Sequence, residues 1–303
     1  MTLNLDRGLA VIGLGRMGLP MARGLHAAGA DPLCFDIDAE ARGAAEADGL
    51  RVCTSVAGAF RGGGIVLLSL PNAEIVEATV SEGLSGLGDS PAPIIIDAST
   101  SIAEVSRRMA AALDALGGAF LDAPVSGGPA GAVKGTLTFM VGGPAATLEI
   151  CRPVLEILGK KTLHAGEVGA GNIAKIANNM MVASHFLVAR ECLALAQSAG
   201  LEAGAALDVV NAATGGSTVT QVHFPTWVMT RSFDSGFTMG LMRKDVGLAL
   251  SLAEEVGLDI PLSRLVADHW TGPEAPADAA DFTEMGDPET VLHASRTKKA
   301  RSA

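Results

Sequence analysis

The sequence predicts an α/β first half on a mostly parallel sheet, one long helix, and a second half in which only helices are suggested. Three features carry this. Apolar runs of strand length alternate with segments of helix length through the first half, as in successive βαβ units. The stretch from Gly166 to Gly200 opens with glycines at 166, 169 and 171 and continues for almost thirty residues without Gly or Pro. It reads as one long helix, largely buried between the two halves. After Gly200, helical patterns occur at roughly 203–213, 240–256 and 261–270.

The first element is the apolar run GLAVI at 8–12, which ends directly in GLGRMG, residues 13–18. LPMARGLHAAGA then reads as a helix stopped by Gly29, followed by strand PLCFD ending at Asp36. Gly13 permits the tight turn, Gly15 lets a pyrophosphate approach the backbone, and Gly18 allows close helix–strand packing. Leu14, Arg16 and Met17 complete a turn whose helix start offers N–H groups to phosphates. Asp36, 18 residues beyond Gly18, stands where a carboxylate accepts hydrogen bonds from ribose hydroxyls. It would repel a 2′-phosphate, and Ile37 offers no guanidinium to hold one, so NAD is favoured over NADP.

The alternation continues with GGIVLLSLPNAEIV, a strand ending in Ser69-Leu70-Pro71 and then a helix. PIIIDAST ends at Asp97–Thr100, a helix follows over 101–116, and AFLDAPV runs into Ser126-Gly127-Gly128. Ligands of open parallel sheets bind outside the carboxyl ends of the strands. Leu70, Pro71, Thr100 and Ser126 are therefore candidates to line one crevice, although each alone is an ordinary turn residue. Residues 126–143 hold six glycines before and within an alternating strand. They read either as a nest of N–H groups and the Ser126 hydroxyl around a carboxylate, or as a glycine-rich hairpin. On the long helix, Lys175, Asn178 and Asn179 share nearly one face by their spacing. Arg243-Lys244-Asp245 opens the otherwise apolar helix at 240–256, Phe233–Phe237 makes a turn before it, and 271–281 reads as a loop.

At 303 residues the chain can bury the cores of two domains. A formal charge of −11 argues against nucleic acid as a partner, and the basic tail Arg296–Arg301 reads as a frayed terminus. No uninterrupted apolar run is long enough for a membrane span. Asp6 precedes the first apolar run with no cleavage-site pattern behind it, so a cytoplasmic location is expected. Cys34, Cys53, Cys151 and Cys192 stand apart in apolar contexts and read as small buried hydrophobes in a reducing compartment. No cluster at metal-ligand spacing is present, so no metal is expected, and His185 reads as packing.

Four blocks, GLGRMGLPMA, DAPVSGGPAGAVKGTLTFMVGG, GAGNIAKIANN and MRKDVGLAL, resemble the β-hydroxyacid dehydrogenases of the 3-hydroxyisobutyrate dehydrogenase type over roughly residues 8–270. The resemblance implies an N-terminal Rossmann domain (1–165), an interdomain helix (166–200) and an all-α C-terminal domain (201–303) that closes the substrate pocket. It implies Lys175 as catalytic acid–base and Ser126, Gly127, Gly128 and Asn179 as substrate-binding. It also implies contact of Thr100 and Lys244 with the nicotinamide end of the cofactor. Lys175 suits proton transfer if burial and a nearby Lys244 lower its pKa toward neutrality. The expected activity is NAD-dependent interconversion of a small anionic β-hydroxyacid and its semialdehyde, in a homodimer or homotetramer. Gly24, where the family has Asn, the segment Gly215–Thr218 and the ending beyond Trp270 depart from the pattern. The latter two leave the substrate open, and the alternatives are an imine or other aldehyde reductase on the same scaffold, or a non-catalytic dinucleotide-binding protein.

Overall fold

The computed structural model describes residues 8–293; Asp6 and the tail Arg296–Arg301 lie outside the described residues. The chain forms two compact units, divided between Lys175 and Ile176. In the first, the chain runs β1 (Leu9–Ile12), α1 (Gly18–Ala27), β2 (Leu33–Phe35), α2 (Ala39–Ala47), β3 (Arg51–Val52), α3 (Val56–Gly62), β4 (Ile65–Leu68) and α4 (Ala73–Ser85). It continues through β5 (Ile94–Asp97), α5 (Ala103–Asp114), β6 (Ala119–Asp122), β7 (Val125–Ser126), α6 (Gly128–Lys134), β8 (Leu137–Gly142), α7 (Ala145–Leu158) and β9 (Gly159–Gly166).

The sheet order is β3-β2-β1-β4-β5-β6-β8-β7, with β9 on β8. Strands β1 to β6 pair in parallel, and β8 runs antiparallel to β6 and β7. The path leaves β1 toward β2 and β3, then returns to β4 on the other side. That reversal opens a crevice at the carboxyl ends of β1 and β4, the usual ligand position in such sheets. Residues of β1, β4 and β5 are buried on both faces, which explains why these strands read as unbroken apolar runs. Val11, Leu67 and Ile96 pack on one face and Ala10, Val66 and Ile95 on the other.

Two element assignments in the first unit change. AFLDAPV is not one strand: it breaks after Asp122, and Val125–Ser126 turns back antiparallel onto Thr138 and Phe139 of β8. The glycine-rich stretch is neither a plain loop nor a simple hairpin, because Gly128–Lys134 winds into a short helix. Pro129 starts that helix and Gly135, at φ 62°, ends it, so the two residue types that suggested a loop are its boundary signals. The edge strand β9 is guarded by exposed Lys160 and Lys161.

The long helix is continuous over Ala170–Ser198 (α8), and Gly200 at φ 92° ends it. It is not buried all round: Met181, Val188 and Leu195, seven residues apart, stand exposed. In the second unit follow α9 (Ala203–Ala212), a π-helical segment (Val219–Val228), α10 (Met239–Glu255), α11 (Pro261–Thr271) and a 3₁₀ turn (Phe282–Gly286). The π segment was not legible in sequence; it contains Pro225, which has no N–H to donate, and closes with Met229 N–H donating to the Phe224 carbonyl at 2.8 Å. Phe186, Phe224, Trp270 and Phe282 pack in the core of the second unit, with the Trp270 indole N–H donating to the Ala183 carbonyl at 3.2 Å. Cys34 and Cys151 are buried as expected, and burial pushes both thiols up to about 12. Cys192 instead is exposed on α8. Among the described residues no helix is long and apolar enough to cross a membrane.

Candidate active site

The glycine turn after β1 has the geometry its spacing predicts. Gly13 sits at φ 91°, and a Cβ there would strike the Ser69 carbonyl of the neighbouring strand end. A Cβ on Gly18 would overlap the Gly13 carbonyl oxygen, so helix α1 can begin this close to β1 only with glycine. Gly15 is exposed, and no atom lies within 4 Å of where its Cβ would be. Open space above an N–H-bearing turn at a helix start is a cradle for a pyrophosphate. Leu14 is buried, Met17 half-buried and Arg16 exposed.

The Asp36 carboxylate is drawn into this turn. Its Oδ2 accepts the Leu14 N–H at 2.6 Å and its Oδ1 the Asp38 N–H at 2.8 Å, leaving a lone pair on each oxygen for ribose hydroxyls. One neighbour was missed. Arg42 donates through Nη1 to the carbonyls of Asp36 at 2.7 Å and Ile37 at 3.0 Å, so a guanidinium does stand at this strand end. An arginine six residues on, across a helix start, has no spacing signature.

The next strand ends are tied together. The Leu70 N–H donates to Ser99 Oγ at 2.9 Å, and the Ser99 N–H to Asp97 Oδ1 at 3.0 Å. Leu70 and Pro71 are thereby held beside the loop bearing Thr100. Ser126 ends β7 opposite Thr138, and Gly127 and Gly128 follow at φ 128° and 60°, conformations that favour glycine.

The start of α8 docks on the same end of the sheet. The buried Asp122 carboxylate, at the end of β6, accepts the Gly169 N–H at 2.7 Å and the Asn172 N–H at 2.9 Å. Burial pushes this carboxyl up, and the N–H groups of Gly169, Asn172 and Gly171 oppose the shift. Gly171 must be glycine, since a Cβ there would lie 2.5 Å from the Asp122 carbonyl oxygen. Lys175, one turn after Asn172, is 7% exposed. In the second unit, Asn179 and Lys244 converge on a residue that sequence reasoning passed over. Asp245 is 1% exposed, accepts the Asn179 amide N–H at 2.5 Å and stands 3.7 Å from the Lys244 ammonium. The Asn179 carbonyl oxygen in turn accepts from Asn178 at 3.1 Å. Among the described residues, no group of three His, Cys, Asp or Glu side chains could hold a metal.

Residues 8–166 match the NAD binding domain of 6-phosphogluconate dehydrogenase, and residues 169–287 the NAD-binding region of NADP-dependent 3-hydroxyisobutyrate dehydrogenase. A probable 3-hydroxyisobutyrate dehydrogenase of Mycobacterium tuberculosis is 36% identical over 296 residues, 96% of this chain and 98% of its own length. The chain belongs to the 3-hydroxyisobutyrate dehydrogenase-like family of β-hydroxyacid dehydrogenases. An NAD-dependent L-serine dehydrogenase of Pseudomonas aeruginosa is 38% identical over 85% of this chain and 89% of that one. The solved structure of Mycobacterium tuberculosis 3-hydroxyisobutyrate dehydrogenase with L-serine superposes with a TM-score of 0.87 at 35% identity, covering 94% of this chain and 99% of that one. As a member of this family the protein is an oxidoreductase of the CH–OH group with a nicotinamide dinucleotide, NAD(P), as cofactor, and the open turn at Gly15 beside Asp36 fits such a cofactor.

Proposed function

We propose that this β-hydroxyacid dehydrogenase oxidises a small 3-hydroxyacid to its semialdehyde, with Lys175 as the general acid–base. The carrying observation is a buried lysine on a helix whose start is hydrogen-bonded to the carboxyl end of β6, the sheet end at which cofactors of this fold sit. Bound NAD supplies the hydride acceptor. Neutral Lys175 Nζ takes the hydroxyl proton as the carbinol hydrogen leaves; in reduction the ammonium returns it. The Ser126 hydroxyl and the N–H groups of Gly127 and Gly128 hold the substrate carboxylate. Asn179, with one amide N–H held by Asp245, keeps its other N–H for the substrate. Leu70, Pro71, Thr100 and Lys244 flank the nicotinamide end.

Relatives named for 3-hydroxyisobutyrate, L-serine and 2-(hydroxymethyl)glutarate support a 3-hydroxyacid that varies at its second carbon. NAD is favoured over NADP because the Asp36 carboxylate is fixed by two N–H donors where a 2′-phosphate would sit. The exposed row Met181, Val188 and Leu195 supports assembly into a homodimer or homotetramer, which light scattering reads directly.

Reduction of NAD is to be followed against these three hydroxyacids, and oxidation of NADH against a cyclic imine. Turnover with at least one hydroxyacid, lowered about 10²-fold or more in Lys175→Ala with NAD affinity kept, is the expected result. Turnover of the imine alone, or a Lys175→Ala variant as fast as wild type, would overturn the reading.

A further inference from the structure

Five hydrogen bonds within the first unit form a continuous rail. It begins at the β4 end, where Leu70 N–H donates to Ser99 Oγ. Two residues on, Ser101 N–H donates to the Asn172 side-chain oxygen at 3.0 Å. The Asn172 amide N–H reaches Ser106 Oγ on α5 at 2.9 Å, and the Asn172 and Gly169 backbone N–H groups end on Asp122. Asn172, Ser101, Ser106 and Asp122 are each 0% exposed. Helix starts ordinarily leave their N–H groups to water or to a cap on the preceding residue. This one is capped by a carboxylate from a strand about fifty residues earlier, and its first polar side chain, that of Asn172, reaches back to the loop that carries Thr100.

We propose that Asn172 is a positioning residue for Lys175: its side-chain amide locks the first turn of α8 to the loop after β5, while Asp122 holds the same turn to the end of β6. This rests on the reading of Lys175 as acid–base. Residues three apart on a helix lie on one face about a turn apart, so any rotation or slide of the first turn moves the lysine. Hydrogen bonds between buried groups are strengthened by their low-dielectric surroundings and favour one arrangement of the turn. Losing Asn172 leaves Ser101 N–H and Ser106 Oγ without these partners and frees the turn. A displacement of about 1 Å at a catalytic group can cost on the order of 10²-fold in rate.

The test is a double-mutant cycle on the full chain with Asn172→Ala, Lys175→Ala and the double variant, together with amide hydrogen exchange over the first turns of α8. Asn172→Ala is expected to lower kcat about 10- to 100-fold with KM for NAD within about twofold, and to speed exchange at Ser101 and in the first turn of α8. In the Lys175→Ala background the same change should lower kcat no further. Ser106→Ala, which removes one bond of the rail, should give a smaller loss of kcat in the same direction; it keeps the proposal testable if Asn172→Ala fails to fold. An equal loss in both backgrounds, or wild-type kcat in Asn172→Ala, overturns the proposal. If wild type oxidises no hydroxyacid, the function reading fails on its own, and the rail is decided by exchange alone: unchanged exchange in Asn172→Ala overturns it.

Discussion

At the scale of residues, the glycine turn and Asp36 act through contacts that one atom can destroy. Gly18→Ala puts a methyl against the Gly13 carbonyl oxygen, and overpacking of this kind costs about 1–3 kcal/mol. The variant is expected to melt several degrees lower by circular dichroism and to bind NAD at least about tenfold more weakly. Asp36→Ala removes the carboxylate held by Leu14 and Asp38 and leaves Arg42 at the strand end. Its ratio of kcat/KM for NAD over NADP should fall at least about tenfold, since a fixed negative charge that repels the 2′-phosphate is lost while a guanidinium remains. An unchanged ratio would take cofactor choice away from Asp36. The turn and its acid were legible because all their parts lie within one βαβ unit. Arg42 was not, because an arginine on a helix start looks the same whether it faces water or a carbonyl.

At the scale of elements, helix α1 carries Gly24 in its middle, and the structure gives the position no backbone need for glycine. A Cβ there would meet Leu158 Cδ2 at 3.7 Å, an ordinary contact. Gly24→Ala should therefore stabilise the protein by roughly 0.5–1 kcal/mol in urea titrations, the usual helix-interior difference between the two residues. The π-helical segment holds His223 against Phe186, Trp227 and Phe282, and burial lowers its pKa below 6.5. The folded state thus keeps the imidazole neutral at pH values where the unfolded chain has already bound a proton. Its contribution is present above about 6.5 and is lost as pH falls from there through the folded pKa. Wild type should lose more melting temperature between pH 7 and pH 5 than His223→Phe; equal losses would remove His223 from the acid response. Elements with strong periodic signals, such as α8 and the buried strands, were legible. The break after Asp122, helix α6 and the π segment were not, because glycine and proline mark boundaries without saying which element they bound.

At the scale of the whole molecule, cofactor and stability are linked. A ligand that binds only the folded chain stabilises it by about 2.7 kcal/mol at a hundred times its dissociation constant. NAD is expected to raise the melting temperature measurably, and NADP at equal concentration to raise it less, in keeping with Asp36. A larger shift with NADP would reverse the cofactor preference proposed above. The formal charge of −11 makes every anionic ligand bind against a long-range field, so both shifts should grow as salt screens that field.

The sequence by itself determined what short-range pattern can carry. It determined the glycine turn with its acid, the strand ends facing one crevice, the length of α8, and the blocks that mark the family. Tertiary structure alone decided that Asp122 caps a helix beginning at Ala170, that Asn172 joins that helix to the loop after β5, and that Asp245 orients Asn179. These bonds join residues about fifty to seventy positions apart. A single buried polar side chain interrupts an apolar pattern in the same way whatever its partner, and the partner is chosen only when the backbone has brought the two together.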